Sequence, residues 1–224
     1  MIRIVDLHKQ FGTKKVLSGL DLEIERGETM VIIGQSGSGK SVLLKHLIGI
    51  LKPDRGQIYI DGEEITRLVD EELQKLTRKF GMLFQGGALF DSLSVAENVF
   101  LGSQPTRGGL VDWGKMRREA AQHLGAMGID VDVTAPASTL SLGGQQLVEI
   151  ARVVFSGASI IVLDEPTSAL SGPESERLFR AMAELKARGT TLVFISHFLE
   201  DVLAVSDRIT VLKNSRKVAT LENQ

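Results

Sequence analysis

Short apolar runs alternate along this chain with longer stretches in which apolar residues recur at helical spacing. The segments with the character of β-strands are Ile2–Leu7, Leu20–Ile24, Thr29–Ile33, Gly56–Ile60, Phe80–Phe84, Ile160–Leu163, Thr191–Ile195, Arg208–Leu212 and Lys217–Thr220. The segments with helical periodicity are Lys40–Gly49, Trp113–Met127, Gly144–Ser156 and the stretch that contains Leu178, Met182 and Leu185. Strands and helices that alternate in this way predict an α/β fold with a largely parallel central sheet.

The middle of the chain differs in character from its two ends. Helical patterns dominate from about residue 95 to residue 156, with glycine and proline between them, whereas strands dominate before and after. We therefore predict a single domain in which a helical subdomain, residues 86–157, is inserted into a core. That core is expected to consist of residues 1–85 and 158–224.

Composition narrows the classes of function. The chain has 224 residues, of which 43% are hydrophobic and 24% charged, and these values are ordinary for a globular domain. The formal net charge of −2 provides no basic excess to offset phosphate repulsion, so nucleic acid is not the expected partner. The absence of cysteine excludes disulfides, thiolate metal sites and cysteine nucleophiles, and it fits a reducing compartment.

No segment of the sequence predicts insertion into a membrane. Met1–Leu7 alternates apolar and charged residues and lacks the long apolar run of a signal peptide. No stretch approaches the ~18 apolar residues of a spanning helix. We therefore expect a cytoplasmic protein that reaches the inner face of a membrane only peripherally, through a partner chain.

A glycine-rich loop follows the predicted strand Thr29–Ile33. Its sequence matches G-x-x-x-x-G-K-[ST], and a helix is predicted immediately after it. In such a loop, backbone N–H groups and the helix N-terminus surround phosphate oxygens; Lys40 can reach the β- and γ-phosphates, and the Ser41 hydroxyl can bind Mg²⁺. The candidate nucleotide-binding residues here are Gly34, Gln35, Ser36, Gly37, Ser38, Gly39, Lys40, Ser41 and Val42. The loop alone predicts nucleotide binding and does not separate a kinase from a GTPase or a transporter motor.

Two acidic residues follow the apolar strand Ile160–Leu163. Because strand ends in an α/β sheet face the ligand crevice, we expect Asp164 and Glu165 beside the phosphate loop. Asp164 can then hold Mg²⁺ through water, and Glu165 can orient the attacking water or accept its proton. Adjacent strand residues point to opposite faces, so the two carboxylates need not share one role.

These motifs, together with five others in the same order, resemble those of the ABC-type ATPases, and the resemblance covers nearly the whole chain. Leu140–Gln146 resembles the family signature Leu-Ser-Gly-Gly-Gln, and Ser168–Ser171 resembles the loop after the catalytic acid. Phe11, Gln85 and His197 match three further positions. The resemblance implies a P-loop NTPase: a RecA-like core with a β-rich N-terminal portion and an inserted helical subdomain. It also implies hydrolysis of ATP with Mg²⁺.

The family assigns a role to each matched position. Phe11 would stack on adenine, and Gln85 would touch Mg²⁺ and the attacking water. His197 would be the switch histidine. Ser141 and Gly143 would cap the γ-phosphate bound by a second ATPase subunit, in a nucleotide-dependent head-to-tail dimer. The candidate catalytic residues are thus Glu165, His197 and Gln85, and the candidate metal-binding residues are Ser41, Gln85 and Asp164.

The chain departs from the family pattern at three positions. Leu142 stands where the signature usually has glycine, and Gly144 stands where it usually has glutamine. Ser171 stands where aspartate is usual. We expect these changes to weaken contacts across the subunit boundary.

Different parts of the chain resemble different subfamilies. Ser36–Gly49 and Phe80–Leu93 resemble the ATPases of phospholipid transporters of the toluene-tolerance type. From Ser94 onward, and notably over Ile195–Val202, the chain resembles monosaccharide-import ATPases. We therefore hypothesise a mosaic joined near Leu89–Glu97, with a single diverged lineage as the alternative.

The resemblance implies the nucleotide-binding subunit of a transporter. It would drive transport of a sugar or a phospholipid through separate membrane permease subunits, which meet the helical segment. One alternative is a soluble ABC-type ATPase of DNA repair or translation. The other is a recombined or engineered nucleotide-binding scaffold without a transport partner.

Overall fold

The computed structural model describes residues 1–83 and 89–223. Its strands are β1 (Ile2–Phe11), β2 (Lys14–Ile24), β3 (Thr29–Gly34), β4 (Arg55–Ile60), β5 (Glu63–Glu64), β6 (Phe80–Leu83), β7 (Thr106–Arg107), β8 (Leu110–Val111), β9 (Ile160–Asp164), β10 (Thr191–Ile195), β11 (Arg208–Lys213) and β12 (Arg216–Glu222). Its α-helices are α1 (Lys40–Leu47), α2 (Asp70–Thr77), α3 (Val95–Val99), α4 (Trp113–Ala126), α5 (Leu142–Val154), α6 (Gly172–Ala187) and α7 (Leu199–Val205). These bounds confirm the mixed α/β class.

A six-stranded sheet forms the centre of the fold, in the order β12-β11-β3-β10-β9-β6. Every neighbouring pair from β11 to β6 is parallel, and β12 adds an antiparallel edge strand. The predicted parallel sheet is therefore confirmed. Its strand order places β3, β10 and β9 side by side, so their carboxyl ends meet at one edge.

Alternate residues of the central strands enter two separate hydrophobic clusters. In β9, Ile160 and Val162 pack on one face of the sheet, whereas Ile161 and Leu163 pack on the other. This is the two-residue period expected of a strand. All five residues of β9 are buried, because both faces are covered. This coverage of both faces explains why the sequence of β9 is a continuous apolar run rather than an alternating one.

The first of these faces is covered by an antiparallel sheet, in the order β2-β1-β4-β5, and by α1. Leu43, Leu44 and Leu47 of α1 are fully buried in that cluster. This packing fixes the helix that follows the glycine-rich loop. The loop between β3 and α1 is thus anchored at both ends by buried elements.

The second face is covered by α3 to α7. The helices α3, α4 and α5 lie between β6 and β9 in the chain, and α4 and α5 correspond to the predicted helical segments Trp113–Met127 and Gly144–Ser156. A stripe on α5 that includes Leu147, Val148, Ile150 and Ala151 enters the cluster, at the spacing of a buried helix face. Helix α5 packs against both α3 and α6. In the described part of the chain, no helix is long and apolar enough to cross a bilayer.

The strand β1 continues to Phe11, whereas the sequence pattern ended it at Leu7. A bulge explains the difference. The register shifts between Ile4 and Leu7, and Asp6 adopts a φ of 47° there. The alternation of buried and exposed positions is interrupted at this point, so the polar residues that follow do not resemble a strand. Gly56 of β4 lies against the bulge, where a Cβ atom would come within 2.3 Å of the Asp6 carbonyl oxygen.

Several short elements were not predicted: α2, α3, α7, β5 and the β7–β8 hairpin. The helix α3 has five residues, too few to show a helical period. A capping box defines its start. The Ser94 backbone N–H donates to Glu97 Oε2 at 2.8 Å, and the Glu97 backbone N–H donates to Ser94 Oγ at 3.3 Å. Local capping, rather than periodicity, creates this helix.

Candidate functional site

The candidate site lies at the carboxyl edge of the central sheet. The glycine-rich loop leaves β3 at Gly34, Glu165 follows β9, and His197 follows β10 by one residue. Because β10 lies between β3 and β9, the three strand ends bring these segments together. Residues up to 163 positions apart in the sequence therefore share one site.

The glycine-rich loop has the backbone geometry of an anion cradle. Gly39 has a φ of 103°, and a Cβ atom there would lie 2.6 Å from the Val16 carbonyl oxygen, so only glycine fits. The α1 helix begins at Lys40 directly after it and directs its N-terminal N–H groups into the loop. The Lys40 Nζ donates to the carbonyl oxygens of Gly34 at 2.7 Å and Gln35 at 3.2 Å. These bonds hold the ammonium group inside the loop.

A cleft of 610 Å³ opens over this loop. It is lined by Phe11, Lys14, Val16, Gly34, Ser36, Gly37, Gly39, Lys40, Ser41, Val42, Glu165 and His197. Ten of these twelve were candidate residues, and Lys14 and Val16 are additions from the start of β2. Gln35, which is exposed, and Ser38 do not belong to the lining. Ser38 is buried, and its hydroxyl has no partner within the described residues.

The Asp164 carboxyl group lies under the loop, where it is hydrogen-bonded to Ser41. Burial raises its pKa, and the neighbouring Glu165 adds to that effect, while the Ser41 hydrogen bond and the Lys40 charge act in the opposite direction. A carboxylate and a hydroxyl on adjacent segments are the hard oxygen ligands that Mg²⁺ prefers. No group of three or more His, Cys, Asp or Glu among the described residues could hold a metal by itself.

Glu165 is held in a strained conformation. Its φ is 50°, which is rare outside glycine, and its backbone N–H donates to the Ile195 carbonyl oxygen at 3.0 Å. The Glu165 Oε1 lies 3.4 Å from His197 Nδ1. The His197 ring in turn contacts the Phe198 ring, with centroids 4.1 Å apart. The backbone therefore directs this carboxylate into the cleft beside the histidine.

Phe11 lies at the mouth of the cleft with 49% of its surface exposed. Lys9 Nζ lies 5.7 Å from the centroid of its ring. That ammonium group is anchored to Asp54 Oδ1 at 2.8 Å. An exposed aromatic face beside a phosphate loop is available to stack on a planar base.

The signature motif, Leu140–Gln146, lies outside the lining of the cleft over the glycine-rich loop. Ser141 caps α5, because its Oγ accepts the Gly144 N–H at 3.1 Å, and α5 therefore begins at Leu142 rather than at the predicted Gly144. Neither Ser141 nor Gly143 belongs to the lining of the cleft over the loop. Leu142 is 75% exposed. The structure thus brings together the loop, the acids and His197, and leaves the signature on another surface.

The segment that carries Glu165 is held from two sides by contacts that sequence patterns did not identify. The Gln146 amide of α5 donates to the Pro166 carbonyl oxygen. From the other side, the buried Thr167 hydroxyl donates to Asp201 Oδ2 of α7 at 2.6 Å. These contacts join residues 20 and 34 positions apart, so no local periodicity reveals them.

We expect Thr167→Val to lower the free energy of unfolding by about 1.5–3 kcal/mol, because it removes a charge-assisted hydrogen bond at a buried position. Urea unfolding followed by circular dichroism measures this. The matched control is Thr134→Val, which removes an exposed Thr–Asp hydrogen bond of 2.7 Å and should cost less than ~0.5 kcal/mol. Equal losses of unfolding free energy in the two variants would show that the Thr167–Asp201 bond does not hold the Glu165 segment in place.

Two further predicted positions have different outcomes. Gln85 lies outside the described residues. Ser171 begins α6, where its hydroxyl and its N–H both donate to Glu174 Oε2 at 2.7 Å. Serine at this position is thus explained locally as part of a helix cap.

Comparisons with known proteins identify the family of this chain. A family model described as ABC transporter matches residues 17–168. Curated relatives include a ribose import ATP-binding protein of Rubrobacter xylanophilus, 41% identical over 98% of this chain, and one of Burkholderia ambifaria, 42% identical over 99%. A galactofuranose transporter ATP-binding protein of Escherichia coli is 38% identical over 99%. The chain spans 42–44% of the length of these relatives.

Solved structures of ATP-binding cassettes are similar to this chain over its whole length. A dimeric ATP-binding cassette in a post-hydrolysis state, bound to ADP and phosphate, has a TM-score of 0.89 and 29% identity, with 100% of this chain and 99% of that chain covered. A dimeric bacterial ABC transporter cassette also has a TM-score of 0.89, with 30% identity and the same coverage.

Proposed function

Because this chain belongs to the ABC transporter family, we propose that it binds and hydrolyses Mg-ATP and thereby drives sugar import through separate membrane permease subunits. The observation that carries the proposal is the convergence of Lys40, Ser41, Asp164, Glu165 and His197 on one cleft. A phosphate cradle alone would bind a nucleotide. A strained carboxylate beside a histidine adds the groups needed to activate water.

Each side chain has a distinct task in this proposal. Lys40 neutralises charge on the β- and γ-phosphates from within the loop. Ser41 and Asp164 would hold Mg²⁺, which supplies charge neutralisation at the phosphate oxygens when bound. Glu165 accepts a proton from the attacking water, and His197 Nδ1, which lies 3.4 Å from Glu165 Oε1, keeps that carboxylate oriented.

We propose that a second copy completes the site. The loop leaves one side of the cleft open, and Ser141 with Gly143 lies on another surface of the same chain. A head-to-tail pair would bring that surface onto the partner's cleft, where the N-terminus of α5 can stabilise the γ-phosphate. The exposed side chain of Leu142 would then become buried between subunits. Two similar solved cassettes are described as dimeric, which supports this arrangement.

A single sugar-type lineage is the origin we propose in place of the mosaic. The ribose import relatives match over 98–99% of the chain, on both sides of the suggested join at Leu89–Glu97. The comparisons therefore give no support for a phospholipid-type first part.

We assign residues 86–157 as the helical subdomain that meets the permease at the cytoplasmic face of the membrane. Phe90, Leu110 and Trp113 in this segment are exposed apolar side chains suited to that contact.

We expect Phe11→Ala to weaken ATP binding about five- to a hundredfold, because base–aromatic stacking contributes about 1–3 kcal/mol. Calorimetric titration measures the affinity. Phe11→Tyr should bind ATP as the wild type does, and binding of inorganic tripolyphosphate should be unaffected by either change. A parallel loss of tripolyphosphate affinity would place Phe11 elsewhere than on the base.

Phosphate release by the purified chain tests the proposed activity, with Glu165→Gln as the background. Turnover that depends on Mg²⁺ and on Glu165 supports an ATPase. Tight ATP binding without phosphate release would favour the alternative of a scaffold. Strong stimulation by RNA would favour a soluble ABC protein instead. Affinity purification from detergent-solubilised membranes, with identification of the bound permease, separates sugar transport from phospholipid transport.

A further inference from the structure

A second cleft, of 340 Å³, lies between the C-terminal ends of α4 and α5 and one face of α6. We call it the arginine cleft after Arg177 and Arg180 of α6 and Arg188, the residue directly after that helix, which line one wall. It shares no lining residue with the cleft over the phosphate loop.

The wall of the arginine cleft is strongly basic. Three arginines and Glu184 are its charged residues, so its net charge is +2 (three minus one), while the whole chain carries −2. Only Arg188 has a carboxylate partner, Glu184 Oε2 at a loose 3.8 Å. Arg177 and Arg180 form no ion pair or hydrogen bond within the described residues. The positive charge of Arg177 does help to lower the pKa of Glu174.

These guanidinium groups are not serving as helix caps. The ends of α4 and α5 present carbonyl groups on the other side of the cleft, and within the described residues neither Arg177 nor Arg180 donates a hydrogen bond to them. The Arg177 side chain lies over Gly128, where a Cβ atom would be 3.6 Å from its Nε. Within the described residues, a ligand would therefore displace no hydrogen bond of the Arg177 side chain.

The floor of the cleft is apolar. Met127, Ala181 and Leu185 are buried there. Phe155 completes it and is stacked on His123, with ring centroids 4.0 Å apart. A floor of this kind favours an apolar or aromatic body.

We propose that the arginine cleft binds a small organic anion, with a phosphate head group on the guanidinium groups and a compact apolar body on the floor. Guanidinium forks bind phosphate oxygens bidentately, which fixes the head group. Free inorganic phosphate would use the wall alone, and a neutral ring would use the floor alone. The occupant would also join α6 to the ends of α4 and α5, so it would resist relative movement of these helices.

The experiment is calorimetric titration of the chain with phenyl phosphate, in saturating Mg-ADP so that the phosphate loop is occupied. We expect a Kd of ~1 mM or tighter, and binding at least about tenfold weaker for inorganic phosphate and for phenol, since each lacks one half of the interaction. This readout requires no ATP turnover and is therefore independent of the proposed transport function. Failure of phenyl phosphate to bind, or equal binding of all three probes, would overturn the proposal.

Arg180→Gln is the decisive variant. Arg180 is exposed and unpaired in the described structure, so its loss should leave the fold intact. We expect at least about tenfold weaker binding of phenyl phosphate, with a further loss in Arg180→Glu. The matched control is Arg118→Gln, an exposed arginine of α4 outside the cleft, which should bind as the wild type does. Unchanged affinity in Arg180→Gln, or an equal loss in the control, would count against the site.

Discussion

Lys40→Ala should weaken the affinity for Mg-ATP by roughly tenfold to a hundredfold. The change removes charge-assisted hydrogen bonds worth about 1.5–3 kcal/mol at the β- and γ-phosphates. Lys40 is buried to 9% exposure inside the loop, and its Nζ already donates to Gly34 and Gln35. The ammonium group is therefore pre-positioned, and little side-chain entropy remains to be lost when phosphate arrives.

Calorimetric titration with Mg-ATP measures this effect. Lys75→Ala is the control, because Lys75 is exposed on α2 and lies outside the cleft. The thermal midpoint of Lys40→Ala should stay close to that of the wild type, which separates a binding defect from unfolding. An unchanged affinity for Mg-ATP in a folded Lys40→Ala variant would show that the glycine-rich loop is not part of the nucleotide site.

The residues of the candidate phosphate site could be identified in the sequence because the proposed chemistry is local. The loop from Gly34 to Ser41 is contiguous, and its function needs only a strand before it and a helix after it. Asp164 and Glu165 could be placed near it by a general property of parallel sheets, whose carboxyl ends share one edge. The strand order β3-β10-β9 then supplies the actual proximity.

Other features depend on contacts between distant segments, and local patterns carry no signal for these. The bond from Thr167 to Asp201 joins a loop to a helix 34 residues later. The arginine cleft combines the ends of α4 and α5 with α6, and its arginines in the sequence resemble any solvated helix face. The bulge at Asp6 concealed the second half of β1 for a related reason, since one extra residue breaks the alternation.

The position of the signature relative to Glu165 has a mechanical consequence. Gly143 lies so near the segment after Glu165 that a Cβ atom on it would be 3.1 Å from the Ala169 carbonyl oxygen, and Gln146 donates to Pro166 in the same segment. In the proposed pair, the signature of one subunit contacts the nucleotide of the other. A shift of α5 on that contact would therefore be transmitted to the subunit's own Glu165, the proposed catalytic residue.

Glu165→Gln should reduce phosphate release by about 10²–10⁴-fold while ATP affinity is retained, because the amide keeps the shape of the side chain and loses the base. The variant should also accumulate as an ATP-bound dimer, since hydrolysis no longer opens the pair. Wild-type turnover should rise faster than linearly with protein concentration, because two subunits are needed to complete each site in the proposed pair. Glu63→Gln, at an exposed carboxylate of β5, should behave as the wild type does in both assays.

Light scattering of Glu165→Gln, with and without Mg-ATP, is the decisive measurement. We expect a monomer without nucleotide and a dimer with it, and millimolar ATP can be required because Leu142 and Ser171 depart from the family pattern at the proposed boundary. Adding Lys40→Ala to Glu165→Gln should return the protein to a monomer, since the nucleotide is what joins the subunits. A Glu165→Gln protein that binds ATP tightly and stays monomeric at high concentration would show that this chain alone does not form the composite site.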